Sequence, residues 1–242
     1  MAGKPETQIR PISNIVIVVA MEMEALPIVN RFRLTRQPHS SFPERVPWVR
    51  YGGTYKDLSI NLIWPGKDPA SAIGHCFVLS ATSPDPFLSG TTGGFKAKGA
   101  SIGDIFIISG CAFHDRRIPI PGFDLYGVGL RKAFDTPNLI KELNLKVGRL
   151  STGNSLDMTL QDESLIMAND ATVIDMEGAA IAYVADLLKV PAIFVKAVTN
   201  IVDGDKPIVE EFLENLAAVA DALDPAVEQV VNFINGNSLS EL

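Results

Sequence analysis

The sequences TVIDMEGAAIAYVA at residues 172–185 and IFVKAVTNIVDGD at residues 193–205 decide the fold of this chain. Each begins as a short apolar run typical of a buried strand, and the runs stop at Met176-Glu177 and at Thr199-Asn200. In open parallel α/β sheets, ligands bind outside the carboxyl ends of the strands. We therefore expect the carboxylate of Glu177 and the amide of Asn200 to face one crevice.

A further carboxylate follows the first apolar run of the chain. NIVIVVA at 14–20 is typical of a strand that is buried on both faces, and the residues after Glu24 carry apolar side chains at helical spacing. Glu24 therefore lies at the mouth of another strand. Spacing alone explains Glu24 and Glu177 equally well as solvated carboxylates in the first turn of a helix, where the helix dipole favours negative charge.

The rest of the pattern alternates strands with helices, which predicts an α/β protein. WVRYGG at 48–53 and SINLIW at 59–64 are typical of a hairpin-like strand pair, and DIFIIS at 104–109 predicts the next strand. From Asp162 onward the chain predicts a helix, a strand, a second helix that begins at Gly178, and a second strand.

Two segments carry other signals. Residues 110–137 contain Pro119, Pro121 and several glycines, which predicts an extended, functional loop. Residues 209–235 are apolar at the spacing of one helix face, which predicts a C-terminal amphipathic helix with Pro225 as a candidate break.

Composition limits the class of protein and its partners. The 242 residues are 47% hydrophobic and 20% charged, which is ordinary for a globular protein, and we expect a single domain over 1–242 with an N-terminal extension at 1–13. A net charge of −7 makes nucleic acid an unfavourable partner. The expected ligand is a small molecule that is neutral or cationic.

Cysteine content and the N-terminus predict a cytoplasmic location. Cys76 and Cys111 are too few for a disulfide framework, and no spacing of Cys or His suggests a metal site. The first dozen residues lack the apolar core of a signal peptide, and no apolar run is long enough to span a bilayer, so we expect no membrane partner.

Together with GTTGGF at 90–95 and HDRRIPIPGFDLYGVG at 114–129, these residues closely resemble the plant 5′-methylthioadenosine nucleosidases of the nucleoside phosphorylase/nucleosidase superfamily. The resemblance runs from RPIS at 10–13 to the end of the chain. It implies a three-layer α/β/α fold of the nucleoside phosphorylase type with a central mixed sheet, and a homodimer without metal or organic cofactor. It also implies hydrolysis of 5′-methylthioadenosine to adenine and 5-methylthioribose, as in methionine salvage.

The resemblance assigns roles around the expected crevice. Glu24 would orient and deprotonate the attacking water, and Glu177 would accept hydrogen bonds from the ribose hydroxyls while positive charge develops on the sugar. Met21 and Met176 would pack against the sugar. The other residues that the resemblance places beside the nucleoside are Thr91, Gly93 and Thr199, and it places Leu156 where it would stack on the purine.

Asn200 stands where the family pattern has Asp, the residue that supplies a proton to the purine near N7. An amide can hold the base but cannot release a proton at neutral pH. Losing a general acid typically costs ~10²–10⁴ in rate. The change is explained either by engineering or by natural drift from catalysis; Asn154, which also stands at a family Asp, and a shortened stretch between Gly66 and Gly90 favour drift.

Two rival functions remain open from the sequence. A non-catalytic protein that binds or stores nucleosides on this fold would bind adenine and leave methylthioadenosine intact. A phosphorylase would need basic groups, typically Arg, in the loop after the first strand. That loop holds Glu24, which would repel phosphate, so water is the favoured nucleophile.

The segment 114–129 is interpreted as structural. His114-Asp115-Arg116-Arg117 has the composition of an anion-binding cluster, but in the family this stretch leads into a loop that crosses to the neighbouring subunit. Side chains of that loop that could cover the alkylthio end of a neighbour's substrate are Phe123, Leu125 and Tyr126. His39 and His75 have no recognisable partners in the sequence and are assigned no role.

Overall fold

A computed structural model describes residues 10–38, 47–66 and 86–242 of the chain, and His39, His75, Cys76 and most of the shortened stretch lie outside these ranges. The strands are β1 (Asn14–Val18), β2 (Thr35–Arg36), β3 (Val49–Tyr55), β4 (Leu58–Trp64), β5 (Pro86–Gly94), β6 (Ile105–Phe113), β7 (Arg131–Lys132), β8 (Lys146–Thr152), β9 (Val173–Asp175) and β10 (Ile193–Ile201). The helices are α1 (Glu22–Arg31), α2 (Asp124–Val128), α3 (Pro137–Leu143), α4 (Leu160–Ala168), α5 (Gly178–Leu188) and α6 (Ile208–Ile234).

The strands form one mixed sheet, part of which closes on itself. β5 pairs in parallel with β1 and with β10, whereas β9 runs antiparallel to β5 and β6 runs antiparallel to β10. β8 lies in parallel between β6 and β9, so that β5, β10, β6, β8 and β9 complete a ring. β4, β3 and β2 extend the sheet beyond β1, with β3 and β4 paired antiparallel as the hairpin that the sequence predicts.

Both faces of this sheet are covered, as the apolar character of β1 predicts. Ile15 and Ile17 pack in a core with residues of α1, α3 and α6, whereas Val16 and Val18 pack in a second core with the small residues of α5. Alternating side chains of a strand point to opposite faces, so an uninterrupted apolar run implies helices on both sides. The three-layer α/β fold expected from the sequence is confirmed.

The prediction of an extended loop over residues 110–137 was wrong in part. β6 continues to Phe113, the short helix α2 forms at Asp124–Val128, and β7 adds a two-residue strand to the side of β6. Prolines and glycines end regular structure locally, but pairing with β8 extends β6 through Gly110 because a ladder needs only backbone groups. The irregular parts are residues 114–123, between β6 and α2, and the short connections before and after β7.

Helix α6 also differs from its prediction. It runs without a break through Pro225, since only one backbone hydrogen bond is lost there and the neighbouring Leu223 and Val227 are fully buried. At its start, Val209 and Leu213 are exposed although they belong to the predicted apolar face. Within the described ranges, none of the helices is both long and apolar enough to cross a membrane.

Candidate active site

The crevice expected from the sequence is a cavity of about 470 Å³ at one end of the sheet. All nine residues predicted for the site line it: Met21, Glu24, Thr91, Gly93, Leu156, Met176, Glu177, Thr199 and Asn200. The strands that carry them do not all run the same way, however. β1 ends beside Leu88 while β5 continues to Gly94, where β9 meets it from the opposite direction.

Glu24 is buried, and four hydrogen bonds hold its carboxylate in place. Its Oε2 accepts hydrogen bonds from the backbone N–H groups of Ala20 and Met21, each at 3.0 Å, and its Oε1 accepts from the N–H and the hydroxyl of Thr91 at 2.7 and 2.8 Å. The side chain has only 1% of its surface exposed, which contradicts the alternative of a solvated helix-start glutamate. Thr91 lies 67 residues further along the chain, so its two hydrogen bonds fix the Glu24 carboxylate to a second strand at the cavity.

A buried lysine lies close to the carboxylates of the site, and sequence reasoning missed it. The Nζ of Lys196 on β10 is 2.7 Å from Asp175 Oδ2 and 3.9 Å from Glu177 Oε2. A side-chain atom added at Gly90 would lie 3.3 Å from both Lys196 Nζ and Glu24 Oε1, so the ammonium and Glu24 share the space above Gly90. The one available signal was a charged residue inside the apolar run IFVKAV, because lysine is buried only when paired.

Asp175 was missed as well, and it is the most heavily bonded acid of the cluster. Besides Lys196, its carboxylate accepts hydrogen bonds from the Thr152 hydroxyl at 2.6 Å and from the backbone N–H of Gly178 at 3.0 Å. Side chains of Asp175 and Lys196 are 1% and 2% exposed. Burial opposes the charge of Lys196, but Asp175 and Glu177 outweigh it and raise the pKa of the ammonium.

Glu177 is the least compensated carboxylate of the site. Its loss of solvent, followed by repulsion from Asp175, raises its pKa from 4.5 to about 8, while Lys196 acts in the opposite direction. Three carboxylates, those of Glu24, Asp175 and Glu177, thus face one ammonium. The raised pKa favours the protonated form of Glu177 near neutral pH.

Asn200 lies inside β10 and not beyond its end as the sequence suggested. The register between β10 and β5 shifts between Val198 and Asn200, and this irregularity turns Thr199 and Asn200 toward the cavity. The Thr199 hydroxyl lies 3.0 Å from Asn200 Oδ1, and Asn200 Nδ2 lies on the side of Gly93. The bulge is anchored from α6, where Glu211 accepts a hydrogen bond from the Ile201 N–H at 2.6 Å.

The opposite wall of the cavity is largely apolar. Leu156, on the segment after β8, and Met21 and Met176 contribute side chains that the sequence predicted. Wall residues that it did not predict are Ala20, Glu22, Trp64, Pro65, Gly66, Thr92, Ile174 and Phe212. Such a mixture of apolar walls and a few charged groups on the floor is typical of a small-molecule site.

The segment that begins at His114 lies outside the cavity. His114 is buried against Gly153, and Arg117 forms an ion pair with Asp162 of α4. Phe123, Leu125 and Tyr126 are more than half exposed, and none of them lines the cavity of its own chain. Among the described residues, no group of three or more His, Cys, Asp or Glu side chains is arranged to hold a metal ion.

Comparison with known proteins gives three consistent matches. The family model of the Phosphorylase superfamily matches residues 14–232. The 5′-methylthioadenosine nucleosidase of Arabidopsis thaliana is 59% identical over 246 residues, covering 97% of this chain and 92% of that protein. The 5′-methylthioadenosine/S-adenosylhomocysteine nucleosidase of the same organism is 57% identical, covering 96% of each.

A solved structure extends this likeness to three dimensions. The apo form of Arabidopsis thaliana 5′-methylthioadenosine nucleosidase matches with a TM-score of 0.93 and 58% identity, covering 96% of this chain and all of the other.

Proposed function

Because this chain belongs to the phosphorylase superfamily, we propose that it is a nucleosidase that hydrolyses the N-glycosidic bond of 5′-methylthioadenosine to adenine and 5-methylthioribose. The observation that carries the proposal is that Glu24, Glu177 and Asn200 line one cavity, with the Lys196 ammonium close to both glutamates. Two relatives that are each more than half identical to this chain have names that include this substrate.

The arrangement supports water as the nucleophile. Glu24 would hold a water molecule against C1′ of the sugar and take its proton as the new C–O bond forms. The C1′–N9 bond breaks with its electron pair going to the purine. Since the positively charged sugar is flanked by carboxylates, this step gains electrostatic stabilisation at the atoms where charge develops. Phosphate would meet the same carboxylates and be repelled.

Glu177 would recognise the ribose. Because burial raises its pKa to about 8, it carries a proton near neutrality and can both donate to one hydroxyl and accept from another. As positive charge grows on the sugar, loss of this proton to solvent water would become more favourable, and the carboxylate so formed would stabilise the sugar cation. Glu177 would therefore bind the transition state more strongly than the substrate.

Asn200 would bind the purine without protonating it. Its Nδ2 can donate to N7, an acceptor, but the amide has no proton to release. The proton that N7 needs in order to leave must then come from water, so we infer a slow enzyme. A non-catalytic nucleoside-binding protein is the second candidate function, and Asn200 is the observation that favours it.

We further propose that the protein is a homodimer. Phe123, Leu125 and Tyr126, which lie on or next to the short helix α2 of the 114–129 loop, expose large apolar surfaces, and this is unfavourable for a segment in contact with water. A partner chain that covers this loop would gain apolar burial, and the loop could reach the alkylthio end of the partner's ligand.

The test is the fate of 5′-methylthioadenosine. Purified protein is incubated with the nucleoside, with and without phosphate, and the products are separated by chromatography. Adenine and free 5-methylthioribose at equal rates in both samples support the nucleosidase. A sugar phosphate that appears only with phosphate would instead identify a phosphorylase, and binding of adenine without any cleavage would identify the binding protein.

A further inference from the structure

The cavity wall that carries Leu156 is held from outside the cavity by two neighbouring residues, His114 and Asp115. Leu156 is 40% exposed and belongs to an irregular segment between β8 and α4. A segment without ladder hydrogen bonds needs other contacts to keep one position. Those contacts come from the residues that directly follow β6.

Three polar contacts join His114 and Asp115 to the last residues of β8 and to the segment that follows it. The backbone N–H of His114 donates to the carbonyl oxygen of Thr152 at 3.0 Å, which extends the β6–β8 pairing by one step. Next to it, the carboxylate of Asp115 accepts a hydrogen bond from the backbone N–H of Asn154 at 2.6 Å. Hydrogen bonds to a carboxylate are shorter and stronger than neutral ones.

The third contact involves the imidazole ring of His114 and is supported by a buried asparagine. The Nδ1 of His114 lies 3.1 Å from Ser151 Oγ, which accepts a hydrogen bond from Asn169 Nδ2 at 2.9 Å. Since Asn169 donates to this oxygen, the Ser151 proton is free to point at His114, which suits a neutral imidazole that carries its proton on Nε2. Burial lowers the pKa of His114 in agreement with a neutral ring.

The ring also restricts the residue type at position 153. A Cβ on Gly153 would lie 2.1 Å from His114 Nε2 and 2.8 Å from two ring carbons. Rotation of the ring away from this Cβ would break its hydrogen bond with Ser151, so only glycine fits at position 153. Gly153 in turn donates its N–H to the carbonyl oxygen of Asp175 at 3.1 Å, which ties the wall to the acidic cluster.

We propose that His114 and Asp115 are positioning residues for the 153–156 segment, and that they set the affinity of the cavity for the purine through Leu156. The purine as ligand rests on the proposed function. The pair touches neither the cavity nor the groups that would carry the reaction, so it acts on binding and leaves the chemical step unchanged.

The experiment compares Asp115→Ala with Asp115→Asn, which keeps an oxygen that can accept from the Asn154 N–H. Hydrogen–deuterium exchange of the unliganded proteins is followed over residues 152–158. We expect about tenfold faster exchange there in Asp115→Ala, and near wild-type exchange in Asp115→Asn. Asp221→Ala, an exposed aspartate on α6, is the matched control. Unchanged exchange in Asp115→Ala overturns the proposal whatever the ligand is.

Ligand measurements then separate positioning from general damage. For Asp115→Ala we expect adenine to bind about tenfold more weakly, and KM for methylthioadenosine to rise by a similar factor with kcat within about twofold of the wild type. A fall in kcat at constant KM contradicts the positioning role. If wild-type protein binds neither ligand, the proposed function fails while the exchange result still decides the role of Asp115.

A second pair of variants tests the packing. Gly153→Ala should disturb the segment more than Asp115→Ala does, and His114→Ala should relieve part of that effect by making room for the new methyl group. Residues 152–158 of the double variant His114→Ala/Gly153→Ala should therefore exchange more slowly than expected if the effects of the two single variants were additive. Strict additivity would show that the ring does not restrict position 153.

Discussion

The ammonium of Lys196 lies 2.7 Å from a carboxylate oxygen of Asp175, and both side chains are almost completely buried. They come from different strands, β10 and β9, which do not pair with each other in the sheet. The pair fixes a positive charge close to both Glu24 and Glu177, and this charge offsets the repulsion between the two carboxylates.

Removing the cation should destabilise the fold. Lys196→Met leaves the buried carboxylate of Asp175 without its countercharge, and breaking a buried ion pair from one side costs about 3–5 kcal/mol. Chemical denaturation measures the free energy of unfolding. Lys189→Met, whose side chain is 80% exposed, serves as control and should change it little. Equal stability of both variants would mean that the cluster is hydrated in solution.

Stability should depend on pH through Glu177. Its pKa is raised from 4.5 to about 8, so the folded state retains a proton that the unfolded state releases above pH 4.5. The folded state binds more protons between these values, and stability therefore falls as pH rises from about 4.5 to about 8. Glu177→Gln abolishes this titration. The free energy of unfolding of the variant should therefore exceed that of the wild type by an amount that grows across this pH range to a few kcal/mol. Parallel stability curves for the two proteins would exclude a raised pKa.

Glu177→Ala should weaken ribose-containing ligands more than adenine. Only the former present hydroxyls to the carboxyl group, and leaving them unpaired on burial costs ~1–3 kcal/mol. Calorimetry with adenine and with a non-hydrolysable C-nucleoside analogue of methylthioadenosine gives the difference, with exposed Glu163→Ala as control. Equal losses for both ligands would remove Glu177 from the ribose role.

Asn200→Asp should raise the rate of adenine release from methylthioadenosine by ~10²–10⁴, because it provides a proton donor at the purine. Affinity for adenine should change little, since both side chains can hydrogen-bond the base. Chromatographic rates for both proteins report the effect, and Asn154→Asp, the other position that departs from the family pattern, is the comparison. An Asn200→Asp variant that binds adenine but does not cleave methylthioadenosine would favour the binding protein over the enzyme.

The loop with Phe123, Leu125 and Tyr126 should form a dimer contact. Leu125→Glu, at a side chain that is 78% exposed, should shift the mass in solution toward the monomer. Leu160→Glu, at an 83% exposed position on α4, introduces the same charge elsewhere and should leave the mass unchanged. Light scattering at micromolar concentration distinguishes the two, and a monomeric wild-type protein would contradict the homodimer.

Local pattern in the sequence determined the elements and most of the candidate site. The uninterrupted apolar run of β1 required helices on both faces of the sheet, because its alternate residues had to be buried on opposite sides. The polar residues that follow buried strands pointed to Glu24 and Glu177. The same pattern pointed to Asn200, whereas resemblance to a family, and not periodicity, singled out Leu156 and gave each residue its role.

The tertiary structure alone decided how these residues meet. The antiparallel approach of β9 to β5, the bulge at Thr199 and the pairing of Lys196 with Asp175 depend on strands far apart in the chain. A single sequence carries no register between distant strands, because a ladder bonds through backbone groups that every residue has in common. The same backbone bonding carried β6 past its predicted end, and burial of its neighbours kept α6 intact at Pro225.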